Sequence, residues 1–169
     1  MARAPATAAS GLQFMVEQIA ELYGTEQVVL HAEQDLASRT NDADFRSHLE
    51  RLVAEDQQHV ENLRQALRMM IGAEASVQAS IDRGRHLAEA VLAASQETAY
   101  RFIRGLLLLM YQAAMDGRVF IQVQQCVENR EIIGLLDTNH HEDETHLKYM
   151  ESQVIRAAEE LSGLLGRYS

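Results

Sequence analysis

After Pro5 the chain contains no proline, and this is the feature that most limits its fold. Proline breaks helices, so a long chain without it can form long uninterrupted helices. The sequence is also rich in alanine, leucine, glutamate and glutamine, which favour helix over strand. Apolar residues make up 47% of the 169 residues, which suffices for the packed core of one domain. We therefore predict an all-α fold.

Four stretches carry apolar residues at the three- and four-residue spacing of one helix face. The predicted helices cover residues 10–38, residues 43–71, a third segment that starts between 87 and 97 and ends near 127, and residues 131–165. Ser10 is expected to cap the first helix, and Asn41 or Asp42 the second. The inward stripes are expected to include Leu12 near the start of the first helix and Leu161 near the end of the fourth.

The connections between these helices predict their topology. The stretch GAEASVQASIDRGRH has weak periodicity and is interpreted as part of a crossover of about twenty residues, with room for a short helix near its end. Two short connections and one long one predict two antiparallel pairs joined between helices two and three. This is an antiparallel four-helix bundle of ferritin-like topology. Residues 1–9 are expected to form a flexible tail, and residues 10–169 a single domain.

Charge and cysteine content exclude several classes of partner. The formal net charge of −10 repels nucleic acid and anionic membranes, so neither is expected as a partner. The longest apolar run, near Leu106 to Tyr111, is too short to span a bilayer. Cys126 is the only cysteine, so no internal disulfide is possible, as is usual in a reducing compartment. The first residues lack the apolar segment of a signal peptide, and we expect a soluble cytoplasmic protein.

The phrase Glu-Asp-x-x-His occurs twice, at residues 55–59 and 142–146. Residues three apart share a helix face, so the aspartate and histidine of each copy can reach one ion together. Both pairs fall in the apolar stripe of their helix, and the stripes of the first and third helices each pass through an acidic residue. The candidate metal ligands are Glu26, Asp56, His59, Asp116, Asp143 and His146.

Burial of these residues requires compensation. An isolated buried carboxylate costs several kcal/mol even after relaxation, and four of them on facing helices also repel one another. Two divalent cations would balance four carboxylates, which is the layout of di-iron carboxylate bundles. A single acidic-x-x-His is usually a surface ion pair, but two copies in the apolar register favour metal. Alternatives within the set stay open, namely Glu33, Glu55, Glu142 and, on the third helix, Gln112.

The remaining histidines and the methionines receive simpler interpretations. The other histidines have no comparable acidic partner and are interpreted as surface or rim residues; they are His31, His48, His86, His140 and His141. The seven methionines are expected to fill the core rather than bind haem, so no haem is expected.

The stretches ELYGTEQVVLHAEQDLA and HLERLVAEDQQHVENLRQAL lie within about the first seventy residues. They resemble the ferritin-like superfamily, and within it the bacterial proteins of the YciE/YciF type. The second half of the chain resembles it through the EDETH phrase and the helix pattern. The resemblance implies a homodimer with a non-haem di-iron or di-manganese site. It makes Glu26 the lone carboxylate of the first helix and Asp56 with His59 the paired motif, and the counterparts of these residues are Asp116, Asp143 and His146.

The chain departs from the family pattern in two respects. The superfamily usually has glutamate where this chain has Asp56, Asp116 and Asp143, and the shorter aspartate makes it harder to bridge two metals. In addition, 30 residues separate Glu26 from Asp56, whereas 27 separate Asp116 from Asp143. A single bound metal, weak binding and loss of the site are therefore all left open.

Three functions are compatible with these features. The leading one is a metal-dependent protein, either an oxidase of the di-iron or ferroxidase type or an iron-handling protein. It would hold iron or manganese with positions open to O₂ or peroxide. The alternative is a metal-free helical dimer that acts as a stress or scaffold protein with a degenerate site. A storage cage is the third, and the lack of a distinct short fifth helix after the fourth helix argues against it.

Overall fold

The computed structural model of the chain describes residues 8–71, 77–123 and 129–165, without the side chains of residues 8–10, 71, 121, 123, 142–145, 164 and 165. Within these ranges the regular structure is helical, which confirms the all-α prediction. The five helices are α1 (Ala8–Arg39), α2 (Ala43–Ile71), α3 (Gln78–Ala93), α4 (Ala99–Val123) and α5 (Arg130–Leu165). In the part of the chain that is described, none of these helices combines the length and the apolar character needed to cross a membrane.

Polar side chains fix the starts of three helices. The side-chain oxygens of Asp42, Thr98 and Asn129 accept hydrogen bonds from backbone N–H groups two or three residues further on, at 2.8, 3.1 and 2.9 Å. These bonds satisfy N–H groups that have no partner inside the helix. Asp42 is thus the cap of α2, one of the two residues predicted for this position. The first helix begins at Ala8, so Ser10 lies inside α1 and the predicted Ser10 cap is wrong.

The predicted crossover contains a helix of its own. The 16-residue helix α3 occupies its second half, and a turn at residues 94–97 separates α3 from α4. The helix α4 therefore begins at Ala99, just after the predicted window. Ser80, Ile81, Gly84, Ala88 and Leu92 form the buried face of α3. Three of these five residues are small, which explains why the apolar periodicity of this stretch is weak in the sequence.

Two glycines allow α1 and α3 to touch along their backbones. A Cβ atom added at Gly24 would lie 2.1 Å from the carbonyl oxygen of Ile81, and one added at Gly84 would lie 1.9 Å from the carbonyl oxygen of Glu21. The hydroxyl of Thr25 donates a hydrogen bond to the Gly84 carbonyl at 3.3 Å across the same crossing. The crossover helix is therefore held against α1 at a separation that only glycine permits.

The five helices pack around two hydrophobic clusters. The helix α1 packs against α2 and α3, and α4 packs against α5; α2 also contacts α5, and α1 contacts α4. The first cluster consists of Met15, Val16, Ile19, Ala20, Leu22, Tyr23, Leu63, Ala66, Leu67, Val77, Ile81, Ala113, Phe120, Ile132 and Leu136. The second cluster consists of Val29, Ala32, Phe45, Leu49, Leu52, Ala88, Leu92, Ile103, Leu106, Leu107, Leu109, Met110, Ala114, Leu147 and Met150.

A band of buried polar residues separates the two clusters along α1, α2 and α5. On each of these helices the band occupies the turns between the last residue of one cluster and the first of the other. We call it the polar band; its members are Thr25, Glu26, Asp56, His59, Asn62, Asn139 and His146. The apolar stripes are therefore interrupted at the same level on three helices, and this level holds the candidate site.

Two large apolar residues predicted to face the core are exposed. Leu12 is 39% exposed and Leu161 is 37% exposed. Each lies close to an end of its helix, where neighbouring helices surround it on fewer sides. The stripe predicted the correct face of the helix, but the helix extends past the packed region.

The crossing of α1 and α3 generates the first prediction. Gly24→Ala forces two backbones apart and should lower the free energy of unfolding by about 1–3 kcal/mol or more. The control is Gly134→Ala on α5, because Gly134 has no heavy atom within 4 Å of the added Cβ. That substitution should raise stability by about 0.5–1 kcal/mol through helix propensity. Urea unfolding followed by circular dichroism measures both; equal effects of the two substitutions would contradict the close crossing.

Candidate metal site

Three of the predicted ligands meet in the polar band. Glu26 on α1 and Asp56 and His59 on α2 each offer one ligand atom, and these atoms all lie within 4.8 Å of one another. The three side chains are 4%, 3% and 1% exposed, so water is largely excluded from them. We call these residues the three-residue site.

The local sequence explains how α2 presents two ligands to one point. Asp56 and His59 are three residues apart, and they follow Leu52 on the apolar face. The Nδ1 atom of His59 lies 3.4 Å from Oδ1 of Asp56. Because α1 and α2 are joined by the short turn at residues 40–42, Glu26 of α1 reaches the same level from the facing helix.

The donor set fits a divalent cation. Carboxylate oxygens and an imidazole nitrogen are ligands that suit iron, manganese and zinc. A cation bound at about 2.0–2.2 Å places its ligand atoms about 3–4.4 Å apart, so small side-chain movements would complete the site. Two carboxylates buried beside each other also repel, and a cation between them would remove that cost.

Asp116 does not join this group. It is half-buried on α4, and burial, followed by the negative charge of Glu21, raises the pKa of Asp116 from 3.8 to about 6. Glu21 itself lies on α1, more than one turn before Glu26, and accepts a hydrogen bond from Nε of Arg83 at 3.1 Å. Asp116 is therefore placed beside the first cluster rather than in the polar band.

The sequence of α4 explains this displacement. Ala113 belongs to the first cluster and Ala114 to the second. The two clusters therefore meet on α4 at a pair of alanines, and these alanines lie at the level of the polar band. Asp116 follows this junction and falls on the side of the first cluster. The spacing in the sequence already carried the signal: the separation from Asp116 to Asp143 is three residues shorter than that from Glu26 to Asp56. Three residues are close to one helical turn.

His146 is buried but contacts a different carboxylate. Its Nε2 atom lies 2.5 Å from Oε2 of Glu55, and its Nδ1 atom lies 3.3 Å from Nε2 of His48. The ring of His48 in turn stacks on Tyr149, with centroids 3.6 Å apart. Glu55 was an alternative to Asp56 as a ligand; here α2 directs Glu55 to His146 and Asp56 to the three-residue site.

The interpretation of His48 as a surface or rim residue is wrong, because its side chain is buried. Burial, followed by the charge of His146, lowers the pKa of His48 to about 4. This ring is therefore neutral at pH 7. The sequence contained a signal for it, because His48 lies three residues after Phe45 and four before Leu52, both of which are buried.

Of the other predicted ligands and alternatives, Gln112 is exposed on α4, and the rest fall into two groups. Asp143 and Glu142 lie on α5, but their side chains are outside the described part of the structure. Glu33 is fully buried on α1, two turns after Glu26, at the level of the second cluster. The assignment of Asp143, and with it a second ion, stays a prediction.

A pair of buried amides borders the three-residue site. Asn62 donates through Nδ2 to Oδ1 of Asn139 at 2.7 Å, and Asn139 donates to the backbone carbonyl of His59 at 3.1 Å. These bonds tie α5 to the turn of α2 that carries His59. Asn62 was not predicted, although it lies three residues after His59 on the same face.

The raised pKa of Asp116 generates the second prediction. Between about pH 4 and pH 6 the folded protein keeps a proton that the unfolded chain has released, so this group lowers stability as the pH rises through that window. Asp116→Asn should therefore stabilise the protein at pH 7, by about 1–2 kcal/mol after allowance for partial exposure. The gain should shrink towards pH 4.

Denaturant unfolding at the two pH values measures this difference. The matched control is Asp137→Asn, an exposed carboxylate on α5, which should change stability by no more than about 0.5 kcal/mol. A gain for Asp116→Asn that is the same at both pH values would show that its protonation is not coupled to folding.

Comparison with known proteins gives no relative from which a function can be transferred. No family model matches the chain, and no curated protein or solved structure matches it.

Proposed function

We propose that this protein is a ferritin-like metal-binding protein that holds non-haem iron or manganese in the core of a four-helix bundle. The observation that carries the proposal is the three-residue site, in which two buried carboxylates and a buried imidazole converge. Its ligands are Glu26, Asp56 and His59. The proposed role is that of an oxidase or an iron-handling protein.

The packing of the long helices supports the bundle. The pairs α1–α2 and α4–α5 are joined by short connections, and α2 with α5 and α1 with α4 complete the contacts of a four-membered arrangement. The helix α3 then occupies the crossover between the two pairs. A long connection at this position is what the ferritin-like topology requires.

The protein's own groups determine what such a site can do. Bound iron would supply one-electron redox chemistry, with O₂ or peroxide as the proposed partner. Glu26 and Asp56 would supply negative charge, and His59 a nitrogen ligand. The ring of His59 lies beside Asp56, and the Asn139 amide bonds the backbone carbonyl of His59 and so holds this turn of α2 against α5. The apolar clusters on either side exclude water from the site.

One ion is the stoichiometry that the described contacts favour. Asp116 lies beside Glu21, and His146 lies against Glu55, so neither contributes to the three-residue site. A second ion would need Asp143 and a rearranged His146.

The third prediction tests the ligands directly. Isothermal titration of the full chain with Mn²⁺, and with Fe²⁺ under anaerobic conditions, should give about one ion per chain. Glu26→Gln, Asp56→Asn and His59→Ala should each weaken binding by 10-fold or more, roughly the loss expected when a group that supports a metal site is removed. The exposed histidines provide matched controls, because His31→Ala and His86→Ala should leave binding unchanged.

His146→Ala separates one ion from two. If the three-residue site is complete without His146, this variant should still bind one ion with unchanged affinity. Loss of one of two ions would support the paired site predicted from the repeated phrase. Absence of binding to the wild-type chain would contradict the proposed function.

The second candidate function is a metal-free helical dimer with a stress or scaffold role. The observation in its favour is that much of the polar band is satisfied within the protein. Asn62 and Asn139 bond each other, and His146 bonds Glu55. A core held in this way needs no ion for these groups.

The fourth prediction distinguishes the two candidates by stability. A ligand that binds only the native state stabilises it by mass action. If the site binds metal, saturating Mn²⁺ should raise the melting temperature of the wild-type chain and leave that of the Asp56→Asn variant unchanged. If the protein is instead a metal-free dimer, Mn²⁺ should change the melting temperature of neither protein. Asp56→Asn alone would then raise stability, because a neutral amide costs less to bury than a carboxylate.

A further inference from the structure

Two buried histidines face each other where α2 meets α5, outside the three-residue site. His48 is 6% exposed and His146 is 7% exposed. Nε2 of His48 lies 3.3 Å from Nδ1 of His146. The rings meet edge to face, with their centroids 5.0 Å apart and their planes inclined by 65°. We call these two residues the histidine pair.

The separation of the two nitrogen atoms fits a metal ion. Zn²⁺ binds histidine nitrogens at about 2.0–2.1 Å. An ion at that distance from two nitrogens 3.3 Å apart makes a nitrogen–metal–nitrogen angle of about 104–111°. This range includes the tetrahedral angle of about 109° that zinc sites prefer. As a hydrogen bond, by contrast, 3.3 Å is long, since N–H donors usually lie about 2.7–3.2 Å from their acceptor.

Glu55 prepares His146 to bind an ion. Oε2 of Glu55 lies 2.5 Å from Nε2 of His146. A carboxylate can only accept a hydrogen bond, so Nε2 carries the proton and Nδ1, which faces His48, has a free lone pair. Histidines that bind metal almost always donate their other ring N–H to a carboxylate, a backbone carbonyl or water, which fixes the tautomer and the orientation of the ring. His146 therefore already has the tautomer and the carboxylate partner of a metal ligand.

The surroundings of His48 suit a ligand as well. Its ring stacks on Tyr149, with centroids 3.6 Å apart and planes inclined by 23°, and this contact fixes the direction of Nε2. Nη2 of Arg51, an exposed residue, lies 3.4 Å from the other ring nitrogen, Nδ1. When Nε2 binds an ion, the ring proton moves from Nε2 to Nδ1. The ring of His48 then stays neutral, and the contact that is lost is the long one to Arg51.

We propose that the histidine pair is a binding site for Zn²⁺, in which Nε2 of His48 and Nδ1 of His146 are the ligands and Glu55 is a positioning residue that holds His146. Water or a small ligand would fill the remaining positions of the ion. Imidazole nitrogens suit zinc, whereas Mn²⁺ and Fe²⁺ stand at the weak end of the general order of metal affinities. The ion joins α2 to α5, and it differs from the ion proposed for the three-residue site.

This site is also distinct from the one that the family resemblance implies. The resemblance groups His146 with Asp143 on its own helix and gives no role to His48 or Glu55. Here both partners of His146 lie on α2. The inference does not rest on the proposed function, because the three-residue site and the histidine pair share no ligand. Binding of Zn²⁺ to the pair and of Mn²⁺ to the three-residue site can therefore be measured, and can fail, separately.

Crystals of the wild-type protein soaked in Zn²⁺ test the site directly. An anomalous-scattering map recorded at the zinc absorption edge should show a peak about 2.0–2.1 Å from both Nε2 of His48 and Nδ1 of His146. Absence of a peak between the two rings would overturn the proposal, and would mean that the pair is only a hydrogen bond between helices.

Isothermal titration with Zn²⁺ tests the role of each group. It uses full-length Asp56→Asn protein, in which the three-residue site lacks a ligand. In this background His48→Phe keeps an aromatic ring against Tyr149 but removes the nitrogen, and it should weaken binding at least about 10-fold; Glu55→Gln should weaken it about 10–100-fold. The matched control is His86→Phe at an exposed position on α3, which should leave the affinity unchanged. Circular dichroism checks that each variant is folded, and an unchanged affinity of folded His48→Phe contradicts the site.

Discussion

The burial of Glu26 and Asp56 side by side is the constraint on which the rest of this structure depends. Two ionised carboxylates in a largely water-free band repel each other, and removing both from water is costly. The helices nevertheless bring them together between the two hydrophobic clusters. We propose that a cation held between these groups offsets this cost.

Much of this arrangement could be predicted from the sequence, because it depends on helical periodicity. The bounds of α2 and its Asp42 cap follow from local signals. Glu26, Asp56 and His59 interrupt the apolar stripes, and their phase predicts the buried face on which they are found. Periodicity is reliable here because the helices are long and free of proline, so that one rotational phase holds over many turns.

The remaining features depend on how the helices are placed relative to one another, and the periodicity of a single helix does not determine this. The helix α3 was predicted only as a short helix near the end of the crossover, and its full length was missed because its buried face is built from small residues around Gly84. Asp116 lies on the expected helix, but its level along the bundle is displaced by about one turn. For His146 the phase predicted burial correctly, yet it does not determine whether the ring points to the three-residue site or to Glu55 and His48 at the contact of α2 with α5.

The most direct test of the proposed metal site is an anomalous-scattering map from crystals soaked in Mn²⁺ and, under anaerobic conditions, in Fe²⁺. We predict one peak per chain, within about 2.0–2.3 Å of a carboxylate oxygen of Glu26, a carboxylate oxygen of Asp56 and a ring nitrogen of His59. Absence of a peak at this position, or a peak held instead by Glu55 and His146, would contradict the account.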